Sequence, residues 1–422
     1  MSVSSFFLDP NNIATFIAFI LIAAVVLKFR KRFIITSKVM FWYKAKERSN
    51  FLHRLASHTR LINVYAIVGI IVSIGAVVYA LYRFSSYFQA LIAAPKALLA
   101  SAQILLPVSG VPYVLNIPIA YFLIALVVVA TLHELSHGIV ALSRKIRLKS
   151  VGFVLLLAFF PLGAFVEPRK KDYMKASRFD RLKVLAAGSF MNIILAIIFF
   201  VLVLLLAQIM LSNNLVSFPP LLLNIQSIYN GSPASLSGLT AGTNISLVNG
   251  RPITSVTQIA TVIAATPTGQ SVNFTSTQNK TFFIKPIYNA SFTSSVNSSS
   301  HSYIGISGFF FYTRAPPITP LLSESINPAL TFAVPNSGFL AQALFWIYGL
   351  LLWLVLLNLG LGILNALPIF YVTDGCKIFY ELLGYVIKDK KRQWQVATLI
   401  IVVFSVLFLL LTPIGPLIFS YL

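Results

Sequence analysis

The stretch Ala130-Thr131-Leu132-His133-Glu134-Leu135-Ser136-His137-Gly138 lies inside a long apolar run, from Ile117 to Leu142. Two histidines four positions apart on a helix lie on one face, about 6 Å from each other. His133 and His137 therefore have the H-E-x-x-H spacing, in which two imidazoles hold one zinc ion and the adjacent glutamate, Glu134, acts as general base. The simpler alternative is a pair of histidines that are only hydrogen-bonded inside a helix bundle.

Ionisable residues are scarce in this chain, and their distribution favours the metal site. Of the five histidines and ten acidic residues, three lie in the five consecutive positions 133–137, inside the apolar run. An ionisable group at membrane depth is costly and is a functional candidate by default. We therefore take a zinc site as the working hypothesis.

The composition predicts a polytopic α-helical membrane protein. Hydrophobic residues make up 58% of the 422 residues, charged residues 10%, and the mean hydropathy is +0.86. The net charge of +22 comes from basic residues that flank the apolar runs, which is the positive-inside pattern and argues against nucleic-acid binding. The single cysteine, Cys376, excludes an intrachain disulfide.

About six spans can be placed along the chain from apolar runs near 20 residues long. The basic loops between them put His133, His137 and Asp374 toward the cytoplasmic side of what we take to be the cell membrane. The same count puts the segment between the fourth and fifth spans outside. The predicted spans are residues 13–27, 61–81, 117–142, 184–210, 339–364 and 396 onward.

The apolar segment from Val151 to Phe160 has only about ten residues, too few to cross a membrane as a helix. It is rich in Phe, Leu and Val, so we predict a re-entrant strand pair whose edge could hold an extended peptide by backbone pairing. A short interfacial helix is the alternative. Glu167 follows this segment, and we expect it to pair with Arg169, Lys170 or Lys171.

The third metal ligand is sought among acidic residues at membrane depth. Catalytic zinc takes three protein ligands and leaves one position open for water. Asp374 is the best candidate, because Glu134 is needed as the base and Glu167 lies among basic residues. Two intramembrane asparagines, Asn192 and Asn365, could donate an amide hydrogen bond to the oxyanion, or could only join helices.

With these motifs in place, the chain resembles the site-2 proteases, which are intramembrane zinc metalloproteases. The resemblance covers about residues 117–387 and is carried by His133-Glu134-x-x-His137, Gly188-x-x-x-Asn192, Asn365-x-x-Pro368 and Asp374-Gly375. It implies three ligands, His133, His137 and Asp374, with Glu134 as the catalytic acid and base. It also implies a substrate cut within or beside a transmembrane helix. The gap from Pro368 to Asp374 is one residue longer than is usual in that family.

Residues 212–335 are richer in Ser, Thr and Asn and predict a mostly β domain on the outer face. Its Gly231-Ser-Pro-Ala234 and Val248-Asn-Gly250 motifs resemble a PDZ domain. Such a domain pairs a peptide, often a C-terminus, with a sheet edge, although it could also exclude substrates with bulky outer domains or only brace the spans. The predicted domains are 1–116, 117–211 (first part of the catalytic core), 212–335, 336–387 (second part of the core) and 388–422.

Other functions remain open at this point. A CaaX-processing or HtpX-like membrane metalloprotease shares H-E-x-x-H but takes a downstream glutamate as its third ligand. A non-catalytic scaffold would use the outer domain to bind partners. A transporter with intramembrane polar residues would often have inverted repeats, and nothing in the sequence suggests them. The sequence predicts neither the substrate nor the oligomeric state.

Overall fold

A computed structural model describes residues 3–46, 50–93, 104–111, 114–218, 220–253, 256–267, 269–288, 302–312 and 333–410. The chain divides into two compact units. Unit 1 contains Met1–Val201 and Trp353–Leu422, and unit 2 contains Leu202–Leu352. The predicted domain 212–335 falls within unit 2, and the division passes through two long helices.

The predicted spans are confirmed: in the part of the chain that the structure describes, six helices are long and apolar enough to cross a membrane. Two of them contain 35 residues, about 52 Å at 1.5 Å per residue, and so exceed the roughly 30 Å hydrocarbon core. The protein is thus an integral membrane protein. The six helices are α2 (Pro10–Lys28), α4 (Thr59–Ala93), α5 (Ile119–Ser143), α7 (Arg178–Ser212), α10 (Phe339–Ala366) and α12 (Lys390–Leu410).

Shorter helices and strands complete unit 1. The helices are α1 (Val3–Leu8), α3 (Asn50–Ala56), α6 (Lys170–Lys175) and α11 (Asp374–Val386), with a 3₁₀ turn at Arg30–Arg32. The strands are β1 (Phe33–Thr36), β2 (Met40–Ala45), β3 (Ile104–Leu106), β4 (Val114–Asn116), β5 (Leu148–Leu156) and β6 (Phe160–Pro168).

The predicted strand pair is present, and the alternative of an interfacial helix was wrong. Strands β5 and β6 are antiparallel and join at Leu157 and Ala158, whose φ angles of 52° and 69° are those of a tight hairpin turn. A second hairpin, β1–β2, pairs with β5 and gives a four-stranded sheet in the order β1-β2-β5-β6. The β1–β2 hairpin lies between the first two predicted spans, where the sequence predicts only a basic loop.

The β5–β6 hairpin lies alongside the spans. Near its tip, the ring of Phe159 is 5.4 Å from that of Phe19 in the middle of α2, and the ring of Phe160 is 6.1 Å from that of Phe122 in the first turn of α5. Farther along β6, Val166 contacts Glu134. Glu134 follows Phe122 by twelve positions on α5, which is about 18 Å along the helix, so the hairpin follows α5 over most of its length.

Three helices pack around the H-E-x-x-H segment. One buried cluster joins α4, α5 and α7 through Ala66, Val140, Ala141 and Ala187, among others. Each of the three helices contributes one alanine, which permits the close approach that helices in a membrane use in place of a hydrophobic driving force. A second cluster joins α4 and α7 to α11 and consists of Ile70, Leu182, Leu185, Ala186 and Ile378.

Within the described part of residues 212–335, strands outnumber helices, as predicted. The main sheet of this domain has the order β12-β11-β9-β8-β15, with β10 beside β9, and β15 lies at one edge. Its PDZ character stays a prediction. The elements are β7 (Val216–Ser217), β8 (Leu222–Ile228), α8 (Pro233–Leu236), β9 (Asn244–Val248), β10 (Arg251–Pro252), α9 (Val256–Ala265), β11 (Val272–Ser276), β12 (Thr281–Ile284), β13 (Ile287–Tyr288), β14 (Ser302–Tyr303), β15 (Ile306–Tyr312) and β16 (Val334–Pro335).

Candidate metal centre

Helix α5 presents its two histidines to the protein interior. His133 is 6% exposed and His137 is 9% exposed. Their Nε2 atoms lie 3.1 Å apart, which is the result of one helical turn placing both rings on one face. The predicted local geometry of the motif is therefore present.

Asp374 joins the histidines from a position 241 residues after His133. Its Oδ2 atom lies 3.2 Å from Nε2 of His133 and 2.9 Å from Nε2 of His137. The other carboxylate oxygen, Oδ1, lies 3.3 Å from Nζ of Lys377. The carboxylate thus directs one oxygen to the histidine pair and the other to a lysine.

The segment before Asp374 is a compact, unusual loop. Helix α10 ends at Ala366, just before Pro368, and α11 begins at Asp374. Between them, Phe370 and Tyr371 adopt left-handed backbone angles, with φ of 53° and 59°, which are rare for bulky residues.

Hydrogen bonds close this loop. The hydroxyl of Thr373 donates to the carbonyl of Leu367 over 2.5 Å, and the N–H of Phe370 donates to Oγ of Ser405 on α12 over 2.8 Å. Contacts at both ends of the loop therefore determine where Asp374 begins its helix.

Helix α7 orients His137. The carbonyl of Val184 lies 2.6 Å from Nδ1 of His137, and a carbonyl can only accept, so we assign the ring proton to Nδ1. The lone pair of Nε2 then points toward Asp374. Nδ1 of His133 is buried and has no hydrogen-bond partner among the residues that the structure describes.

Gly188, one turn after Val184 on α7, lies directly against both rings. A Cβ atom at this position would collide with the Nε2 atoms of His133 and His137. The sequence motif includes Gly188, but nothing in the sequence predicts its contact with the two imidazoles. The absence of a side chain leaves room at the point where the two Nε2 atoms converge.

These residues fit a zinc ion. The three donor atoms are separated by 2.9–3.2 Å, and a tetrahedral ion with ligand distances of 2.0–2.1 Å would separate its ligands by about 3.3 Å. Two imidazole nitrogens and one carboxylate oxygen also form a common ligand set of catalytic zinc. His133, His137 and Asp374 are a group that could hold a metal ion.

Glu134 lies next to this group and faces a cavity of about 410 Å³. Its Oε2 atom accepts a 2.8 Å hydrogen bond from the backbone N–H of Val166 on β6. The cavity is also lined by Phe165, Tyr173 and Lys170. The carboxylate is therefore held beside the donor group and close to a sheet edge.

The remaining predicted residues lie in different surroundings. Asn192 is 1% exposed on α7, and its Oδ1 has no hydrogen-bond partner within the described part of the chain. Asn365 is half-buried in the last turn of α10, and no hydrogen bond links its side chain to the described residues of the site. The oxyanion role of Asn192 and Asn365 stays a prediction.

The predicted pairing of Glu167 with Arg169, Lys170 or Lys171 was wrong. Its carboxylate bonds Nζ of Lys149 and the hydroxyl of Ser150, both over 2.7 Å, and lies 3.7 Å from Nζ of Lys44. The neighbours Arg169, Lys170 and Lys171 are not its partners in these contacts. Pairing of β6 with β5, and of β5 with β2, brings Lys149 and Lys44 to it, and the pKa of Glu167 is lowered chiefly by its hydrogen bond from Lys149.

Comparison with known proteins places the chain in a family. It is 42% identical over 73 residues to an uncharacterized protein of Methanocaldococcus jannaschii, which is 17% of this chain and 20% of that protein. The match thus spans only about a fifth of the relative's length. A family model described as peptidase family M50 matches residues 121–411, which include His133, Glu134, His137 and Asp374. The chain therefore belongs to peptidase family M50, the site-2 protease family of membrane-embedded metalloproteases.

Proposed function

We propose that this protein is an intramembrane zinc endopeptidase that hydrolyses a peptide bond within or beside a transmembrane helix of another membrane protein, in regulated intramembrane proteolysis. The observation that carries the proposal is the convergence of His133, His137 and Asp374 within hydrogen-bond distance, with Glu134 beside them at an open cavity. His133, His137 and Asp374 are its metal ligands, and Glu134 is its catalytic acid and base.

The chemistry divides between the ion and the chain. When bound, zinc supplies a Lewis acid that activates water and polarises the scissile carbonyl. Glu134 accepts a proton from the water as its oxygen attacks the carbonyl carbon, and returns a proton to the nitrogen as the C–N bond breaks. The N–H of Val166 holds the carboxylate of Glu134 during both transfers.

Strand β6 is the proposed support for the substrate. A transmembrane helix hides its amides in its own hydrogen bonds, so the cleaved segment must unwind and needs new backbone partners. Strand β6 pairs with β5 on one side only, and its residues Phe165, Val166 and Pro168 line the cavity. An extended substrate segment along this edge would lie next to Glu134.

The main alternative among metalloproteases uses a downstream glutamate as the third ligand. Within the described residues, two glutamates lie downstream of the motif, Glu167 and Glu381. Glu167 is bonded by Lys149 and Ser150, and Arg181 donates two hydrogen bonds to the carboxylate of Glu381. Asp374 is already beside both histidines. These contacts favour the site-2 arrangement over the CaaX-processing or HtpX-like one.

The topology and the outer unit are part of the same proposal. The basic loops support a site toward the cytoplasm of the cell membrane and a domain of residues 212–335 outside. Strand β15 is an edge strand, so a peptide C-terminus could add to it in the manner of a PDZ ligand. The proposed partners are thus a transmembrane substrate and such a peptide.

The proposal is tested with purified full-length protein and a transmembrane reporter in liposomes. Glu134→Gln should keep one zinc per chain and lose cleavage by about 10² to 10⁴, because it keeps the shape but not the proton acceptor. A control with the same loss of charge, Asp172→Asn in the pair with Arg147, should cleave at close to the wild-type rate. A wild type without zinc, or a Glu134→Gln variant with full activity, would overturn the proposed enzyme function. A non-catalytic scaffold would then be the remaining function.

A further inference from the structure

A buried ion pair links the helix that begins at Asp374 to α7. Nε and Nη2 of Arg181 donate to Oε1 and Oε2 of Glu381 over 2.7 and 2.8 Å, in the two-pronged geometry of a guanidinium and a carboxylate. The two side chains are only 13% and 11% exposed. The third donor of Arg181, Nη1, bonds the carbonyl of Ala176 over 2.7 Å, just before α7 begins.

The pair lies in line with the proposed metal ligand. Glu381 follows Asp374 by seven residues, or two turns of α11, so the two carboxylates share one helix face about 10.5 Å apart along the axis. Between them on that face, Ile378 packs in the apolar cluster with Leu182 and Leu185 of α7. The face that carries Asp374 is thus the face that α7 binds.

Helix α7 contacts both halves of the donor group. Its Val184 carbonyl orients His137, and its Gly188 lies under both imidazoles. One turn before Val184, Arg181 holds α11 through Glu381. The relative position of Asp374 and the histidines therefore depends on one short stretch of α7.

Apolar contacts alone leave the register of α11 loosely defined. Contacts such as Ile378 with Leu185 have no direction and would tolerate a helix that slides or turns by a fraction of a residue. The forked Arg181–Glu381 bond is directional and accepts only one register. The guanidinium of Arg178 adds a second constraint, because it occupies the space beside Gly384 that a Cβ would need.

We propose that Arg181 and Glu381 are positioning residues, which fix the register of α11 on α7 and so hold Asp374 at the distance from the two histidines that metal binding requires. The inference rests on the proposed function in one respect, that Asp374 is a zinc ligand. Neither residue touches the substrate or the donor atoms. Their effect is on metal affinity, transmitted through the helix.

The test compares one chemical change at two sites. Arg181→Lys keeps the charge but loses the fork, and Arg147→Lys makes the same change in an exposed pair, where Arg147 bonds Asp172 over 2.7 and 3.0 Å. Zinc dissociation constants are measured on full-length protein in micelles by chelator competition. We expect Arg181→Lys to bind zinc at least about tenfold more weakly, as for other residues that orient a metal ligand. Arg147→Lys should stay within about twofold.

Two further measurements separate positioning from loss of fold. With Co²⁺ as the probe, Arg181→Lys should lose intensity in the visible bands that report tetrahedral coordination, while the metal-free protein keeps the helix content of the wild type by circular dichroism. The exchanged variant Arg181→Glu with Glu381→Arg should recover part of the zinc affinity, because it restores the forked pair but places the new arginine beside Arg178. If Arg181→Lys does not fold, Glu381→Gln, which keeps the side-chain shape, takes its place with the same expectation.

The outcomes are distinguishable. Equal zinc affinity in wild type and Arg181→Lys, or an equal loss in Arg147→Lys, would overturn the positioning role alone. A wild type that binds no zinc would overturn the proposed function and the positioning role with it. A tenfold loss confined to the buried pair, with recovery on exchange, would support it.

Discussion

The two halves of the candidate metal centre are built in different ways. His133, Glu134 and His137 lie within five residues of one helix, so the geometry of α5 alone sets their spacing. Asp374 reaches the same point through a loop with two left-handed aromatic residues and a helix that is anchored on α7. The first half is local and tolerant of changes elsewhere, whereas the second depends on long-range packing. Substitutions should therefore act differently on the two halves.

Asp374→Asn should have the largest effect. It keeps the size of the side chain but removes the negative oxygen that faces both Nε2 atoms. We expect zinc affinity to fall by at least about 100-fold and cleavage to be lost, because a ligand matters more than the outer residues that orient it. The control Asp172→Asn, on α6, should bind zinc normally. Full zinc content in Asp374→Asn would place the third ligand elsewhere.

Gly188→Ala tests whether the close contact of α7 with the two imidazoles is needed for metal binding. The added methyl group would meet the Nε2 atoms of His133 and His137, so the rings or α7 must move. We expect zinc affinity to fall about tenfold or more. Gly360→Ala is the matched control, because its added Cβ on α10 has no atom within 4 Å. That change should leave zinc binding intact and be neutral or slightly stabilising in a helix. Equal zinc binding by both variants would show that the space beside Gly188 is not needed for the metal site.

Thr373→Val tests the loop before Asp374. The variant keeps the shape of the side chain but removes the hydroxyl that donates to the buried carbonyl of Leu367. The carbonyl of Leu367 keeps the hydrogen bond from the N–H of Ile369, so the change should cost about 0.5–1.5 kcal/mol, and the start of α11 should become less well defined. We expect zinc affinity to fall severalfold, with a lower unfolding temperature. Thr275→Val changes an exposed cross-strand pair in unit 2 and should leave zinc affinity unchanged.

The same division explains what the sequence could predict. The six spans and the strand pair follow from apolar run length and residue type, and the spacing of His133 and His137 follows from helix periodicity. These are local properties, and the structure has them. The choice of Asp374 came from elimination among few acidic residues, and it was possible only because a membrane protein contains so few.

Tertiary contacts account for what was missed. The partners of Glu167 are Lys149 and Lys44, because strand pairing joins residues that are far apart in sequence. Pairing of β1 and β2 with β5 could not be inferred, since a basic loop and a short hairpin have similar composition there. The Arg181–Glu381 bond spans 200 residues, and no spacing rule connects them.

The exposed pair Arg147–Asp172 provides the smallest prediction and a reference for all the others. A hydrogen bond from Arg147 lowers the pKa of Asp172 from 3.8 to about 2. A carboxyl whose pKa is lower in the folded state stabilises the fold above its unfolded pKa, and this contribution is lost as the pH falls from about 4 toward 2. Because the pair is exposed and screened by salt, the effect should be small.

The unfolding temperature of Asp172→Asn should therefore lie slightly below that of the wild type at pH 7, and the difference should shrink as the pH is lowered to 3. Zinc affinity at pH 7 should not change. A large loss of zinc in Asp172→Asn would mean that α6 supports the metal centre as α7 does, and the contrast between a buried anchoring pair and an exposed one would fail.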